Sequence, residues 1–363
     1  MTSRAIDENG EFHHLFTIKT VFINRYFIVQ TVLAKKVRPV AKMATFFTPE
    51  RHGYAVRFSP FYKDRIAVAT SQQFGLAGGG TLFVLERTPV GTLENVAVFD
   101  WSDGLFDVAW SEGNSDIAVS GSGDGYLQVW NLHHPGMPIK TFHEHTKEVY
   151  SVNWNFHNHQ RILSASWDCT VKTWDLGYSM STRTYEGHTQ LVYDAVWSPG
   201  LPSTFASVAG DGMLQIWAEE TSNAPRLSVK AHDAEVLSCD WCKYDQNILA
   251  TGASDGLIRG WDIRRLTAPV FELRGCEYAV RRIKFSPYHA SIIASASYDF
   301  TTRVWDYKTS PEAVETVKHH SEFVYGLDFN NHVPGELADC GWDSLVHIFS
   351  PASLSSVPIS EPR

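Results

Sequence analysis

Cysteine is scarce: Cys169, Cys239, Cys242, Cys276 and Cys340 are the only five in 363 residues, and no Asn-x-Ser/Thr acceptor accompanies them. An odd, sparse set in a long chain excludes a disulfide-stapled secreted fold and points to a reducing cytosol. Positive charge is also short. Thirty-one Lys and Arg face 40 Asp and Glu, a formal net charge of −9, so neither nucleic acid nor an anionic membrane surface is expected as the main partner. The most apolar stretch, residues 15–33, is interrupted by Lys19, Asn24, Arg25 and Gln30. Each is costly in hydrocarbon, so direct membrane insertion is not expected. HExxH, Walker and kinase signatures are missing too, which leaves an enzyme without sequence support.

What the chain has is apolar and aromatic residues, 44% and 13% respectively, enough for a large core. Residues 1–42 stand apart: seven Lys/Arg and three Asp/Glu give net +4, whereas the remainder carries 24 against 37, net −13. Asp7, Glu8 and Glu11 are atypical of a transit peptide. The segment is expected to be a disordered N-terminal extension ahead of a domain at 43–351, with a C-terminal tail at 352–363.

An internal repeat settles the architecture. The turn residues Asp124, Asp168, Asp211, Asp255, Asp299 and Asp343 are separated by 44, 43, 44, 44 and 44 residues. Six residues after each stands Trp130, Trp174, Trp217, Trp261, Trp305 or Phe349; fourteen before stands Trp110, Trp154, Trp197, Trp241, Phe285 or Phe329. The intervening residues alternate, as in Thr170-Val171-Lys172-Thr173-Trp174, and predict strands joined by tight turns. Residues 56–85 supply a degenerate seventh unit that turns at Gly78-Gly79-Gly80. Small antiparallel sheets of this kind bury both faces by stacking radially into a closed ring. The fold class is therefore all-β, a seven-bladed β-propeller, and Ala44 to Thr48 are expected to supply the missing outer strand of the last blade.

Trp174-Asp175, Trp261-Asp262, Trp305-Asp306 and Gly187-His188 resemble the WD40 repeat family over about residues 44–350. That resemblance implies a buried hydrogen-bonded tetrad in each regular blade: His145, Ser164, Asp168 and Trp174; His188, Ser207, Asp211 and Trp217; His232, Thr251, Asp255 and Trp261. Repeat 2 has Trp101 and repeat 6 Cys276 in the His slot; repeat 7 keeps His320 but has Asp339 and Phe349 in the Ser and Trp slots. Those three blades are expected to be less rigid. The same His, Ser and Asp could suggest nucleophilic hydrolysis, but an active site occurs once and this set recurs at constant spacing, as scaffold does. Cys239-x-x-Cys242 lies on a strand, where residues three apart face opposite ways and cannot easily share a metal. No metal and no cofactor are expected. Gly252-x-Ser254-x-Gly256 lies in a strand-to-strand turn and is no nucleophile elbow.

If fixed positions build the ring, function belongs to positions that differ between blades at one face. Twenty residues before the turn Asp come Gly104, Glu148, Leu191, Glu235, Ala279 and Phe323; eighteen before, Phe106, Tyr150, Tyr193, Leu237, Arg281 and Tyr325; one before, Gly123, Trp167, Gly210, Ser254, Tyr298 and Trp342. Aromatics beside isolated acids suit a peptide presenting an aliphatic helical stripe and a cation.

Five segments resemble the peroxisomal import receptors for the type 2 targeting signal: Arg51-His52-Gly53-Tyr54, Asp103-Gly104-Leu105-Phe106-Asp107-Val108, Ser238 to Tyr244, Arg259 to Asp262, and Ser297 to Thr301. The resemblance implies a receptor in the cytoplasm that cycles to the peroxisome, its membrane and matrix. Its partners would be N-terminal signal peptides of matrix proteins, a peroxin co-receptor (the type 1 signal receptor or a fungal-type co-receptor) and the peroxisomal docking complex. The expected peptide-binding residues are Glu148, Tyr150, Trp167, Tyr193, Glu235, Asp103, Asp107, Tyr298 and Trp342. Two alternatives stand. Trp261-Asp262-Ile263-Arg264 fits the WDxR box of substrate receptors of cullin-type ubiquitin ligases, and a hydrolase could use one His/Ser/Asp set.

Overall fold

In the computed structural model, which describes residues 43–219 and 224–360, every blade is an antiparallel four-stranded sheet, and seven of them form a β-propeller. The expected extension at residues 1–42 lies outside the described residues. Blade 3 shows the plan. Its inner strand Val149–Trp154 leads to Arg161–Ser166, turns at Asp168 into Thr170–Asp175, and ends in the outer strand Ser181–Glu186. The Asp turns therefore share one face, here termed upper, with the starts of the inner strands. Cys169, Phe300 and Ser344 hold positive φ at these turns, where blades 2, 4 and 5 use glycine.

Blade 7 is completed from the other end of the chain. Its strands Val324–Phe329, Leu337–Gly341 and Leu345–Phe349 are joined by Met43–Phe47, which pairs antiparallel with the third in the register Ala44↔Ile348, Thr45↔His347 and Phe46↔Val346. Ala44 is buried with Val346, Ile348 and Phe58, and Phe46 packs toward Phe83. Across the seam with blade 1, Arg87 binds Glu336 at 2.6 Å and the Phe58 amide donates to Asp328 at 2.9 Å. The last described residues are tied down as well: Leu354 is buried in the blade 6–7 core, and the Ser360 amide donates to the Tyr288 carbonyl.

The three regular tetrads close as hydrogen-bonded chains. In blade 3, His145 reaches Asp168 through Nδ1 (2.8 Å) and Ser164 through Nε2 (2.7 Å), and Trp174 Nε1 donates to Ser164 Oγ at 2.8 Å. Blades 4 and 5 repeat this with His188, Ser207, Asp211 and Trp217, and with His232, Thr251, Asp255 and Trp261. The irregular blades, expected to be looser, carry substitutes. Trp101 Nε1 donates to Asp124 in blade 2, and Arg303 binds Asp299 at 2.6 Å in blade 6. In blade 7, His320 joins Asp343 and Asp339. A buried polar slot is thus filled whichever residue occupies it.

Two outcomes test this frame. Burial works to raise the Asp168, Asp211 and Asp255 carboxyls, but the histidine rings and backbone N–H donors outweigh it and hold all three below the ordinary carboxylate range. A folded pKa below the unfolded one adds stability that is complete above about pH 4 and lost as pH falls further. The urea midpoint is therefore expected to drop between pH 5 and pH 3, and to drop less in His188→Ala. Separately, a chain starting at Thr48 is expected to be at least about 3 kcal/mol less stable than one starting at Met43, having lost a strand and the Ala44 and Phe46 contacts; equal melting temperatures would contradict the closure.

Candidate functional site

Each inner strand slips register by one residue near its upper end, between Gly53 and Ala55, Leu105 and Asp107, Val149 and Ser151, Val192 and Asp194, Val236 and Ser238, Val280 and Arg282, and Val324 and Gly326. A bulge re-aims the residue it leaves unpaired. The seven bulged residues are Tyr54, Phe106, Tyr150, Tyr193, Leu237, Arg281 and Tyr325, and they meet at the upper mouth of the ring. Tyr54 lies 4.9 Å from Phe106 and 4.8 Å from Tyr325, while Phe106 lies 5.3 Å from Tyr150. Arg281 bridges the ring, its guanidinium 4.9 Å from the Tyr150 centroid and 5.1 Å from that of Tyr325.

This ring is a floor. Tyr54, Phe106, Tyr150, Leu237, Arg281 and Tyr325 are all buried, as is Trp342, stacked on Tyr325 at 4.9 Å. Tyr150 and Trp342, expected on the surface, therefore support it from beneath. Above them Trp167 stacks on Tyr150 at 4.8 Å and meets Tyr193 edge-on at 6.1 Å. Tyr193 OH lies 3.4 Å from Glu235 Oε2. Burial, and then the Glu235 charge, push the Tyr193 phenol well above its usual range, so it stays a neutral hydrogen-bond donor. The Trp167 amide donates to the Glu148 carbonyl at 3.0 Å, which fixes that carboxylate's strand start beside the indole. Trp167, Tyr193, Tyr298, Glu148, Glu235 and Asp103 are all partly exposed. Tyr298 belongs to the far side, donating to Tyr325 OH at 2.9 Å.

Asp107 does not join them. It is fully buried one layer down, between Arg57 (3.3 Å) and Arg282 (3.4 Å), and it accepts the Val152 amide of the next blade. Asp194 plays the same part, accepting from Ser151, Ser238 and the Cys239 amide. These carboxylates hold neighbouring blades together and are closed to a ligand. Asp103 lies at the edge of the face, accepting the Gly104 amide at 2.7 Å.

One contributor is absent from the aligned columns. Residues 73–75, at the glycine-rich turn of blade 1, form a short 3-10 segment that folds over the mouth. Phe74 stacks on His52 at 3.8 Å and Tyr54 OH donates to the Phe74 carbonyl, while Phe74 and Leu76 remain 40% and 47% exposed beside the aromatic floor. Tyr54 escaped the columns because its blade lacks the turn Asp from which positions are counted.

The tetrad hydroxyls of Ser164, Ser207 and Thr251 are fully buried. Arg264 stands at the lower face, where the third strands end, and is held by Asp262 at 2.6 Å.

A face of this kind on a ring of repeats defines a propeller used as a binding platform. The WD40 family (WD domain, G-beta repeat) matches residues 93–131, 136–175, 179–218, 223–262 and 267–306. The crystal structure of the WD40 β-propeller domain of Doa1 superposes with a TM-score of 0.71 at 20% identity, covering 85% of this chain and 96% of that one, a likeness of fold. The peroxisomal targeting signal 2 receptor of Mus musculus is 48% identical over 312 residues, 86% of this chain and 98% of the mouse protein. Its namesake in Saccharomyces cerevisiae is 43% identical over 122 residues, 34% and 32% of the two chains. The chain belongs to the peroxisomal targeting signal 2 receptor family.

Gly75 offers a direct probe of the loop over the mouth. Its φ is +70°, and an added Cβ would stand 2.5 Å from Tyr54 Oη and 2.8 Å from Phe106. Gly75→Ala is expected to cost about 1–2 kcal/mol in urea unfolding and to speed amide exchange at residues 72–79, with the outer strands unaffected.

Proposed function

We propose that this chain is an import receptor that captures matrix proteins by an N-terminal type 2 targeting signal and delivers them to the peroxisome. The signal docks as a short helix on the upper face. Its aliphatic side chains lie on Trp167, Tyr193 and Tyr298, over the floor that includes Tyr150 and Trp342, and its basic residue meets Glu148 or Glu235; Asp103 borders the same face. The observation that carries this is the pairing of an aromatic platform with two half-buried carboxylates at one mouth of the ring, the complement of an amphipathic cationic helix. We infer binding rather than catalysis, because the Ser164, Ser207 and Thr251 hydroxyls of the His/Ser/Asp sets are sealed inside the blades. A nonapeptide covers little area and loses conformational entropy on docking. A peroxin co-receptor, the type 1 signal receptor or its fungal-type counterpart, would add the missing contacts and lead the complex to the docking complex at the membrane. Cycling between cytoplasm and peroxisome follows from that role. The ubiquitin-ligase alternative is not favoured, since the relatives reported above are peroxisomal targeting signal 2 receptors.

Fluorescence anisotropy with a labelled type 2 signal peptide, alone and with co-receptor, tests the assignment. Glu148→Lys and Glu235→Lys are each expected to weaken capture about 10- to 100-fold, with the corresponding Gln variants losing less. Wild-type-like binding by the double Lys variant would reject the site. No binding by the unaltered chain with co-receptor present would reject the function.

A further inference from the structure

Blade 7 differs from its six companions at the polar slot behind the closing strand. Three histidines converge there on one buried carboxylate. His319 Nε2 lies 2.8 Å from Asp339 Oδ2, His320 Nε2 lies 3.1 Å from Oδ1, and Thr302 Oγ1 donates to Oδ2 at 2.6 Å. His347, paired with Asp339 across the third strand, completes the group. Ring centroids are 4.3 Å apart for His319 and His347, and 4.8 Å for His320 and His347. One nitrogen from each of the three rings can be chosen so that all lie within 4.8 Å of one another.

Hydrogen bonds already orient the rings as ligands. His320 Nδ1 is 2.9 Å from Asp343, and His347 Nδ1 is 2.9 Å from Thr45 Oγ1 of the closing strand. Where His347 donates through Nδ1 to Thr45, its Nε2 lone pair turns outward, the arrangement in which an outer hydroxyl supports a metal-bound imidazole; His320 faces a carboxylate at each nitrogen, so an ion would displace the proton that its Nε2 shares with Asp339. His347 Nε2 is buried and finds no protein partner; the same is true of His319 Nδ1. A buried ring nitrogen without a partner is costly, and protons do not remove the cost, since Asp339 already takes both His319 and His320. A cation with several coordination positions would satisfy the lone pairs and the carboxylate together.

We propose that blade 7 holds one divalent transition-metal ion of the zinc class, bound by His319, His320, His347 and Asp339. Imidazole nitrogens with one carboxylate select such an ion over calcium or magnesium, which prefer all-oxygen shells. Ligands about 2.0–2.1 Å from zinc stand about 3.3 Å apart in a tetrahedral site, so the rings draw in by about 1.5 Å at most on loading. The His319 side chain is 10% exposed and gives the ion its way in. Bound there, the ion ties the second and third strands of blade 7 to the segment entering the blade and, through His347 and Thr45, braces the strand that closes the ring. This site escaped the sequence because its ligands sit at two ordinary tetrad slots and two positions outside the tetrad pattern, at irregular spacing.

The test uses the full chain, stripped with a chelator, dialysed and then titrated with Zn2+ or Co2+. One zinc per chain is expected by elemental analysis, with a melting temperature about 5 °C higher at a hundredfold excess over Kd. Co2+ should give the intense visible bands of a four- or five-coordinate nitrogen site. His347→Gln and His319→Gln are each expected to abolish the bands and the thermal shift; using both guards against one failing to fold, and the melting temperature of each stripped variant reports its fold. Absence of any thermal shift in the unaltered chain, or cobalt bands that persist in the His319→Gln/His347→Gln double variant, would overturn the proposal.

Discussion

Everything at the upper face depends on the ring being closed. Six sheets carry all four strands in sequence order, but the seventh receives its outer strand from residues 43–47. Seven inner strands then converge, and at five of the seven junctions a carboxylate or amide accepts a backbone N–H of the neighbouring blade: Asp107 from Val152, Asn153 from Trp197, Asp194 from Cys239, Asp240 from Phe285, and Asp328 from Phe58 across the seam. The last of these spans the junction of the two chain ends, where the closing strand completes the ring. Aromatic residues can then be held in fixed positions without a rigid loop to carry them.

The centre of the ring is layered, and the layers divide the labour. At the mouth, the bulged positions turn mostly apolar rings upward. Beneath them, Arg57 and Arg282 meet Asp107 and Asp194, and burial makes these pairs costly unless their hydrogen bonds are met. The two carboxylates accept backbone amides of adjacent blades, Val152 on Asp107 and Cys239 on Asp194, while Nε and Nη2 of Arg282 have no hydrogen-bond partner among the described residues. Charge in the lower layer therefore serves cohesion, whereas Glu148 and Glu235 stand one step higher and partly in water. Two acids four residues apart in one segment, Asp103 and Asp107, thus have different fates because a bulge lies between them.

Much of this was legible in the sequence for a physical reason. A turn Asp and a tetrad Trp must each return once per blade, so their spacing records the period, and the bulge sits at constant distance from the turn. Counting back eighteen residues from each Asp therefore landed on six of the seven mouth residues. Tyr54 was lost because blade 1 replaces the Asp with a glycine-rich loop, and the same loop looked like a simple turn where it carries Phe74 across the opening. Depth was not legible. Whether Tyr150, Trp342 or Asp107 meets solvent depends on residues from other blades, such as Arg57 and Arg282, which no local pattern brings together. Trp101 was placed in the His slot from the sequence, but Arg303 was missed as a substitute because it fills the slot from a different position.

The closing strand also sets a timetable for biosynthesis. Thr45 and His347, hydrogen-bonded in the finished ring, are 302 residues apart, so at about 5–20 residues per second the ribosome needs roughly 15–60 s to deliver the second after the first. Through that interval the earliest-made strand has no partner, and its alternating apolar residues present an open edge to every other nascent chain. A receptor built this way is an incomplete arc on the ribosome until its final blade emerges, because residues 43–47 pair only with the strand 345–349.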